Sequence, residues 1–171
     1  ISNETVVSCD ATYYAHFTEQ QEGEGSDLTW NFSTSDFNSL GTINTTTTIN
    51  GLTLVAKSDA TMIVDGSVKD IDGHHFTHRL KTGGSGKATS RHLYFSVTGA
   101  CTIEVYLISG KTNPVEIRTL NVYQDSYGGP QLTTMTAGET LSKVSYNYTG
   151  GSTTIYMGSA QSGINLYAIN V

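Results

Sequence analysis

The chain has 171 residues and a formal net charge of −6 at pH 7, and only 14% of its residues are charged. This length suits one domain with a single hydrophobic core, and the acidic balance argues against a general phosphate-binding surface, so we predict no nucleic-acid partner. No apolar run approaches the roughly 18 residues that cross a bilayer. The first residues have neither the basic nor the apolar region of a signal peptide. We expect a soluble chain without a membrane partner, either a mature fragment or an excised module.

The composition favours strands over helices. Glycine, serine, threonine, asparagine and tyrosine are abundant, whereas the good helix formers are few. Between the turn signals, apolar and polar residues alternate with the two-residue period of half-buried antiparallel strands. We therefore predict an all-β chain, an antiparallel β-sandwich or jelly roll of about eleven strands, forming one domain over residues 1–171.

The predicted elements follow one another at short intervals. Residues 10–27 lack clean alternation and are predicted as a surface loop. The threonine run at 45–48 lies inside an alternating segment and is predicted as an exposed strand, because threonine suits a solvated strand face. The other predicted strands are, in chain order, residues 28–33, 51–56, 61–66, 75–81, 91–97, 101–107, 118–123, 143–149, 153–158 and 164–171.

Trp30 is the only tryptophan of the chain. It alternates with Leu28 and Phe32, which places all three on one face of the first predicted strand. We predict that this is a core face and not an exposed binding platform. The chain has no G-x-S-x-G nucleophile motif and no carboxylate pair that differs from ordinary turn acids, so we predict no catalytic residues and no enzyme activity.

The two cysteines are Cys9 and Cys101, and neither belongs to a CxxC pair or has a histidine at zinc spacing. A zinc site built on them is therefore not expected. Cys101 opens an alternating strand and shares a face with Ile103 and Val105, which favours two buried thiols. A disulfide is the alternative if the protein is secreted.

The segment DIDGHHFTH at 70–78 contains two aspartates and three histidines. It lacks the remaining ligands of an EF-hand, including the glutamate at the twelfth position. His74 and His78 share a strand face but lie about 13 Å apart at strand rise, too far to bind one ion. We predict no required cofactor, and the metal ligands stay unassigned. A structural calcium ion held by oxygen atoms of separate loops is left open.

Basic side chains gather in residues 78–97, HRLKTGGSGKATSRHLYFSV. Alternation places Arg79 and Lys81 on the outward face of one strand, and His92 and Tyr94 on the outward face of the next. If the GGSG turn joins these strands as a hairpin, the four side chains form one basic and aromatic patch. Arginine can bind a carboxylate through two hydrogen bonds, and tyrosine offers an apolar ring to a sugar. The alternative is that these side chains belong to an ordinary solvent-exposed strand face and bind no ligand.

Arg91 and Arg118 each precede an inward-pointing series near a strand end. Partly buried arginines need partners. These two either pair with a carboxylate of the protein or converge at the rim on a ligand. The carboxylates available for pairing are those of Asp70, Asp72, Glu104 and Glu116.

Three segments carry a family resemblance: FTHRLKTGGSGKATSRHLYFSVTGACTIEVYLISG at 76–110, IRTLNVY at 117–123, and IYMGSAQSGINLYAINV at 155–171. They resemble the β-sandwich accessory domains of bacterial pectate lyases and related pectin-degrading enzymes, which behave like carbohydrate-binding modules. The resemblance implies a non-catalytic, monomeric module of a secreted bacterial enzyme, extracellular or at the cell surface. It would sit beside a catalytic domain and bind plant cell-wall polysaccharide, above all pectin or homogalacturonan. The alternative is a structural spacer that docks on an adjacent polysaccharide lyase.

Further candidates come from the outward strand positions and from the SGINLY segment at 162–167. Tyr106, Tyr156 and Tyr167 all fall on the outward phase of their predicted strands. The candidate ligand-binding residues are, in chain order, Arg79, Lys81, Arg91, His92, Tyr94, Tyr106, Arg118, Asn165 and Tyr167.

Overall fold

The computed structural model describes residues 27–171. The predicted loop at 10–27 lies outside the described residues except for its last position, and Cys9 lies outside them entirely. Residues 27–171 form thirteen strands and no helix, and they contain no helical segment that is long and apolar enough to span a membrane. The strands are β1 (Thr29–Asn31), β2 (Thr42–Ile43), β3 (Thr47–Ile49), β4 (Leu52–Val55), β5 (Met62–Ile71), β6 (His74–Lys81), β7 (His92–Val97), β8 (Cys101–Ser109), β9 (Arg118–Gln124), β10 (Gln131–Ala137), β11 (Ser142–Tyr148), β12 (Thr153–Ser159) and β13 (Ile164–Asn170).

The strands form two antiparallel sheets. The seven-stranded sheet has the order β11-β8-β13-β6-β5-β2, and β1 also pairs with β13. The six-stranded sheet has the order β10-β9-β12-β7-β4-β3. The predicted all-β antiparallel sandwich is therefore confirmed, with thirteen strands where about eleven were predicted.

The hydrophobic core lies between the two sheets and is built from the inward residue of each alternating pair. Trp30 is 1% exposed, and its ring lies 4.8 Å from the ring of Phe95, centroid to centroid. Its Nε1–H donates a hydrogen bond of 2.8 Å to the carbonyl oxygen of Asn50. The predicted core position of Trp30 is confirmed.

β5 extends to Ile71 where a strand over residues 61–66 was predicted, and residues 72 and 73 join it to β6 as a hairpin. Asp72 and Gly73 both have positive φ angles, 49° and 78°, as a tight two-residue hairpin turn requires. The segment that looked like a metal loop is therefore a strand turn. The structure also adds β10, which lies in a part of the chain for which no strand was predicted.

The distal part of this hairpin packs on the outer face of the seven-stranded sheet. Strand β13 pairs with β6 only as far as the Leu166–Leu80 pair. Beyond that pair, β1 takes the place of β6 as its neighbour. Past that point Phe76 covers Tyr106 and Tyr167, with ring centroids 5.2 Å and 5.6 Å away. These side chains form a second, smaller buried cluster.

Candidate functional site

The predicted GGSG hairpin is wrong. β6 belongs to the seven-stranded sheet and β7 to the six-stranded sheet, so residues 82–91 cross from one sheet to the other. Arg79 and Lys81 do lie on an outer face, but it is the face opposite to the one that carries His92 and Tyr94. The predicted basic and aromatic patch is therefore split between the two sides of the sandwich.

Arg79 and Lys81 are occupied by a carboxylate of their own sheet. Arg79 Nε lies 2.9 Å from Asp65 Oδ1, and Lys81 Nζ lies 3.3 Å from Asp65 Oδ2. Burial opposes ionisation of Asp65, but the hydrogen bonds and positive charges of the two basic side chains outweigh it and hold the pKa of this carboxyl below its usual value. Both basic side chains are therefore already engaged by one carboxylate, which leaves this cluster with a net charge of +1.

Three further candidates on the seven-stranded sheet are buried. Tyr106 and Tyr167 are on the outward phase, as predicted, but the β5–β6 hairpin covers them and they are 2% and 0% exposed. Burial also raises the pKa of Tyr106. Asn165 is buried as well, and its Nδ2 donates to the carbonyl oxygen of Ser109 at 3.4 Å. The predicted exposure of the two tyrosines is wrong because strand alternation cannot reveal a hairpin that packs over the face.

Arg91 and Arg118 have different surroundings. Arg118 is buried, its Nη2 lies 2.9 Å from Glu116 Oε2, and its Nη1 donates to the carbonyl oxygen of Gly163. Of the two alternatives left open for Arg118, the structure shows the pairing with a carboxylate of the protein, that of Glu116. Arg91 is half-buried, and its Nε donates to the carbonyl oxygen of Thr61 at 3.4 Å.

The cysteine and metal predictions remain expectations. Cys101 opens β8 in a half-buried position, and burial raises the pKa of its thiol, but Cys9 lies outside the described residues, so the disulfide alternative stays open. Among the side chains of residues 27–171, no group of three histidines, cysteines or acids is arranged to hold a metal ion.

The outer face of the six-stranded sheet carries a row of tyrosines. The strand register places Tyr156 directly opposite Tyr94 on one side and opposite Tyr123 on the other. The rings of Tyr94 and Tyr156 lie 5.0 Å apart, centroid to centroid, and are tilted by 34°. All three side chains are half-buried, so each ring is held by its neighbours and still reaches solvent.

A fourth tyrosine extends this row from the β9–β10 loop. Tyr127 stacks on His92 with a centroid distance of 4.7 Å and meets the ring of Tyr123 edge-on at 5.2 Å. Gly86 and Gly158 leave room for it, because a β-carbon at either position would collide with the tyrosine. Burial raises the pKa of Tyr127 to about 12, so this phenol stays neutral. We call the surface formed by His92, Tyr94, Tyr123, Tyr127 and Tyr156 the tyrosine face.

Two members of the tyrosine face were missed from the sequence. Tyr123 shares the outward phase of β9 with Asn121, whose Nδ2 donates to the hydroxyl oxygen of Tyr123 at 2.8 Å. Strand alternation could have found it, because Leu120 and Val122 mark the inward positions. Tyr127 lies in a loop, where no periodic signal exists.

His92 gives the tyrosine face a pH-dependent member. Burial lowers its pKa below the usual histidine value of 6.5, against the opposing hydrogen bond from Nδ1 to the carbonyl oxygen of Lys87 at 2.8 Å. As pH falls below 6.5, the unfolded chain takes up the proton before the folded chain does, so folding stability decreases.

We expect the free energy of unfolding of the unmodified protein to fall more steeply between about pH 7 and pH 5 than that of a His92→Gln variant. Glutamine keeps a side-chain N–H donor and does not titrate. Urea denaturation at a series of pH values measures the difference, and equal slopes for the two proteins would contradict the prediction.

No protein-family model matches the chain, and no curated protein matches it. Similar solved structures include the CBM22-1 xylan-binding domain from Paenibacillus barcinonensis Xyn10C, at 18% identity over 85% of this chain and 93% of that chain, with a TM-score of 0.46. The CBM35 from Cellvibrio japonicus Abf62 is 12% identical over 85% of this chain and 91% of that chain, with a TM-score of 0.41. The C-terminal CBM6 of LamC from Zobellia galactanivorans is 13% identical over 84% of this chain and 97% of that chain, with a TM-score of 0.36. These likenesses are too remote to assign a ligand to this chain.

Proposed function

We propose that the chain is a non-catalytic carbohydrate-binding module and that its tyrosine face binds the polysaccharide. The observation that carries the proposal is the row of Tyr94, Tyr156 and Tyr123 on three neighbouring strands. Such a row presents several ring faces side by side on a surface that solvent reaches. A polymer can lie along this surface without threading into a cavity.

The chemistry of tyrosine suits a sugar ligand. The ring provides an apolar surface for the C–H side of a sugar ring, and the phenol can exchange hydrogen bonds with sugar hydroxyls. Ring contacts hold Tyr94 against Tyr156 and Tyr127 against Tyr123 and His92 before any ligand arrives. Binding then costs little side-chain entropy, because these rings are already ordered.

The biological role that we propose is proximity. A module that holds a secreted bacterial enzyme on plant cell-wall polysaccharide raises the local substrate concentration without taking part in the reaction. Pectin or homogalacturonan is the ligand that we propose, on the basis of the sequence resemblance. The competing function is a spacer that docks on an adjacent lyase, since an exposed aromatic surface can also contact a protein.

Affinity electrophoresis in gels that contain pectin, polygalacturonate, xylan or a β-glucan tests the proposal. We expect the unmodified protein to be retarded by at least one pectic polymer, and a Tyr94→Ala/Tyr156→Ala variant to lose about tenfold in affinity, or about 1.4 kcal/mol. The matched control is Arg79→Ala/Lys81→Ala on the opposite sheet, which should keep its affinity. Loss of binding in the control alone would place the site on the seven-stranded sheet, and unchanged mobility of the unmodified protein in every gel would favour the spacer.

A further inference from the structure

A small basic pocket lies at one end of the tyrosine face. It is formed by two turns, at 57–60 and 87–90, each closed by backbone hydrogen bonds between its first and last residues. Ser85 and Arg91 complete its lining. Its volume is about 160 Å³. The pocket is therefore large enough for one charged substituent and too small for a polymer chain.

The pocket has a surplus of positive charge. Lys57, Lys87 and Arg91 line it together with one carboxylate, that of Asp59, which lies 3.5 Å from Lys57 Nζ. Within residues 27–171, neither Lys87 nor Arg91 forms an ion pair with any carboxylate. The basic side chains elsewhere that are paired with carboxylates are Arg79, Lys81, Lys111, Arg118 and Lys143.

Arg91 is held in place before any ligand binds. Its backbone has a φ of 56°, and its N–H donates to the carbonyl oxygen of Val55 at 2.6 Å. Its guanidinium lies against Gly84, where a β-carbon would come within 3.2 Å of Cζ. Its Nε donates to Thr61, and the terminal nitrogens keep further donors for an anion.

Direct contacts join the pocket to the tyrosine face. The carbonyl oxygen of Lys87 accepts the hydrogen bond from His92 Nδ1, and the ring of Tyr127 stacks on His92. Gly86 lies between the pocket residues Ser85 and Lys87, and the hydroxyl of Tyr127 packs against it. The N–H of Gly86 donates to the carbonyl oxygen of Ser159 at 2.8 Å. The pocket and the tyrosine face are therefore neighbours in the fold, joined through the buried ring of His92.

We propose that the pocket formed by Lys57, Lys87 and Arg91 is a carboxylate subsite, which binds one uronate group of a polysaccharide whose neighbouring sugars lie on the tyrosine face. This inference rests on the proposed function. The guanidinium of Arg91 supplies paired N–H donors that match a carboxylate, and the two lysines add mobile positive charge at the pocket mouth. In a chain with a net charge of −6, only such a local surplus attracts an acidic sugar.

The test compares polygalacturonate with polygalacturonate whose carboxylates are fully methyl-esterified, a polymer that keeps the same sugar backbone and carries no charge. A Lys57→Gln/Lys87→Gln variant changes two exposed side chains and should fold normally. We expect it to lose about tenfold in affinity for polygalacturonate at low salt and to bind the esterified polymer as the unmodified protein does. The affinity of the unmodified protein for polygalacturonate should also fall as salt is added.

A Lys69→Gln/Lys143→Gln variant is the matched control, because it removes the same charge from exposed lysines of the seven-stranded sheet. Equal losses in the two variants would overturn the subsite, since they would reveal only an effect of net charge. Stronger binding of a sulfated glucan, a polyanion without carboxylates, than of polygalacturonate would overturn the assignment to a carboxylate. If both pectic polymers bind equally at every salt concentration, the subsite fails and the proposed function stands. If neither of them binds, and xylan and the β-glucan do not bind either, the proposed function itself fails.

Discussion

Replacing Trp30 with alanine is expected to lower the free energy of unfolding by about 3 to 5 kcal/mol. Trp30 is 1% exposed, and it is among the largest fully buried side chains between the two sheets. The substitution removes its contact with Phe95 and the hydrogen bond from Nε1 to the carbonyl oxygen of Asn50. It also leaves a cavity that the surrounding strands cannot fill without shifting. Urea denaturation followed by circular dichroism measures the loss.

A Trp30→Phe variant is the control, because it keeps an aromatic ring in the core and loses only part of the volume and the indole N–H. Its loss of stability should be clearly smaller than that of the alanine variant. In the unmodified protein, the fluorescence of Trp30 should be blue-shifted and unchanged by saccharides. Quenching by a saccharide, together with a stability loss below about 1 kcal/mol for Trp30→Ala, would contradict the core position.

Replacing Gly110 with alanine is expected to lower the free energy of unfolding by about 2 to 3 kcal/mol. Gly110 follows the last residue of β8, and its N–H donates a hydrogen bond of 3.0 Å to the carbonyl oxygen of Gly163. A β-carbon at this position would overlap that carbonyl group and lie 2.7 Å from Nη1 of Arg118. The added methyl therefore disturbs both hydrogen bonds that the Gly163 oxygen accepts, from Gly110 and from Arg118.

Gly99 provides the control, because a β-carbon there has no heavy atom within 4 Å. A Gly99→Ala variant should keep the stability of the unmodified protein within about 0.5 kcal/mol. Chemical denaturation of the two alanine variants side by side checks the prediction. A loss below about 1 kcal/mol for Gly110→Ala would mean that the strand ends move apart at little cost.

Most of the sheet structure could be predicted from the sequence, because alternation depends on local sequence alone. Leu93, Phe95 and Val97 are buried in β7 as their spacing predicts. Alternation does not tell which strands pair, however, and it cannot distinguish a hairpin at the GGSG segment from the crossing between the sheets that the structure shows. The Asp-Gly pair at residues 72 and 73 is a recognisable hairpin signal. From the sequence, this segment is considered only as a possible metal site, and the turn is not predicted.

The candidate site was predicted less well than the fold, for the same physical reason. His92 and Tyr94 lie on the outward strand face as predicted, but His92 is only 4% exposed, so its predicted exposure is wrong. Their neighbours Tyr123 and Tyr127 come from β9 and from the loop after it. Strand order, which is set by packing between distant segments, decides which outward side chains meet. Even the burial of Tyr167 depends on a hairpin formed about 100 residues earlier in the chain, as its hydrogen bond with Ser67, 100 positions away, illustrates.

The position of β13 in its sheet has a consequence for how the polypeptide acquires its structure. Residues 164–170 lie between β8 and β6, and they also pair with β1 at the other end of the described sequence. During synthesis, β6 and β8 are made long before the strand that joins them, so their backbone groups at those edges lack a strand partner until it emerges. The seven-stranded sheet can close only after translation has passed residue 170, and such long-range pairing makes folding slow and exposes the intermediate to aggregation.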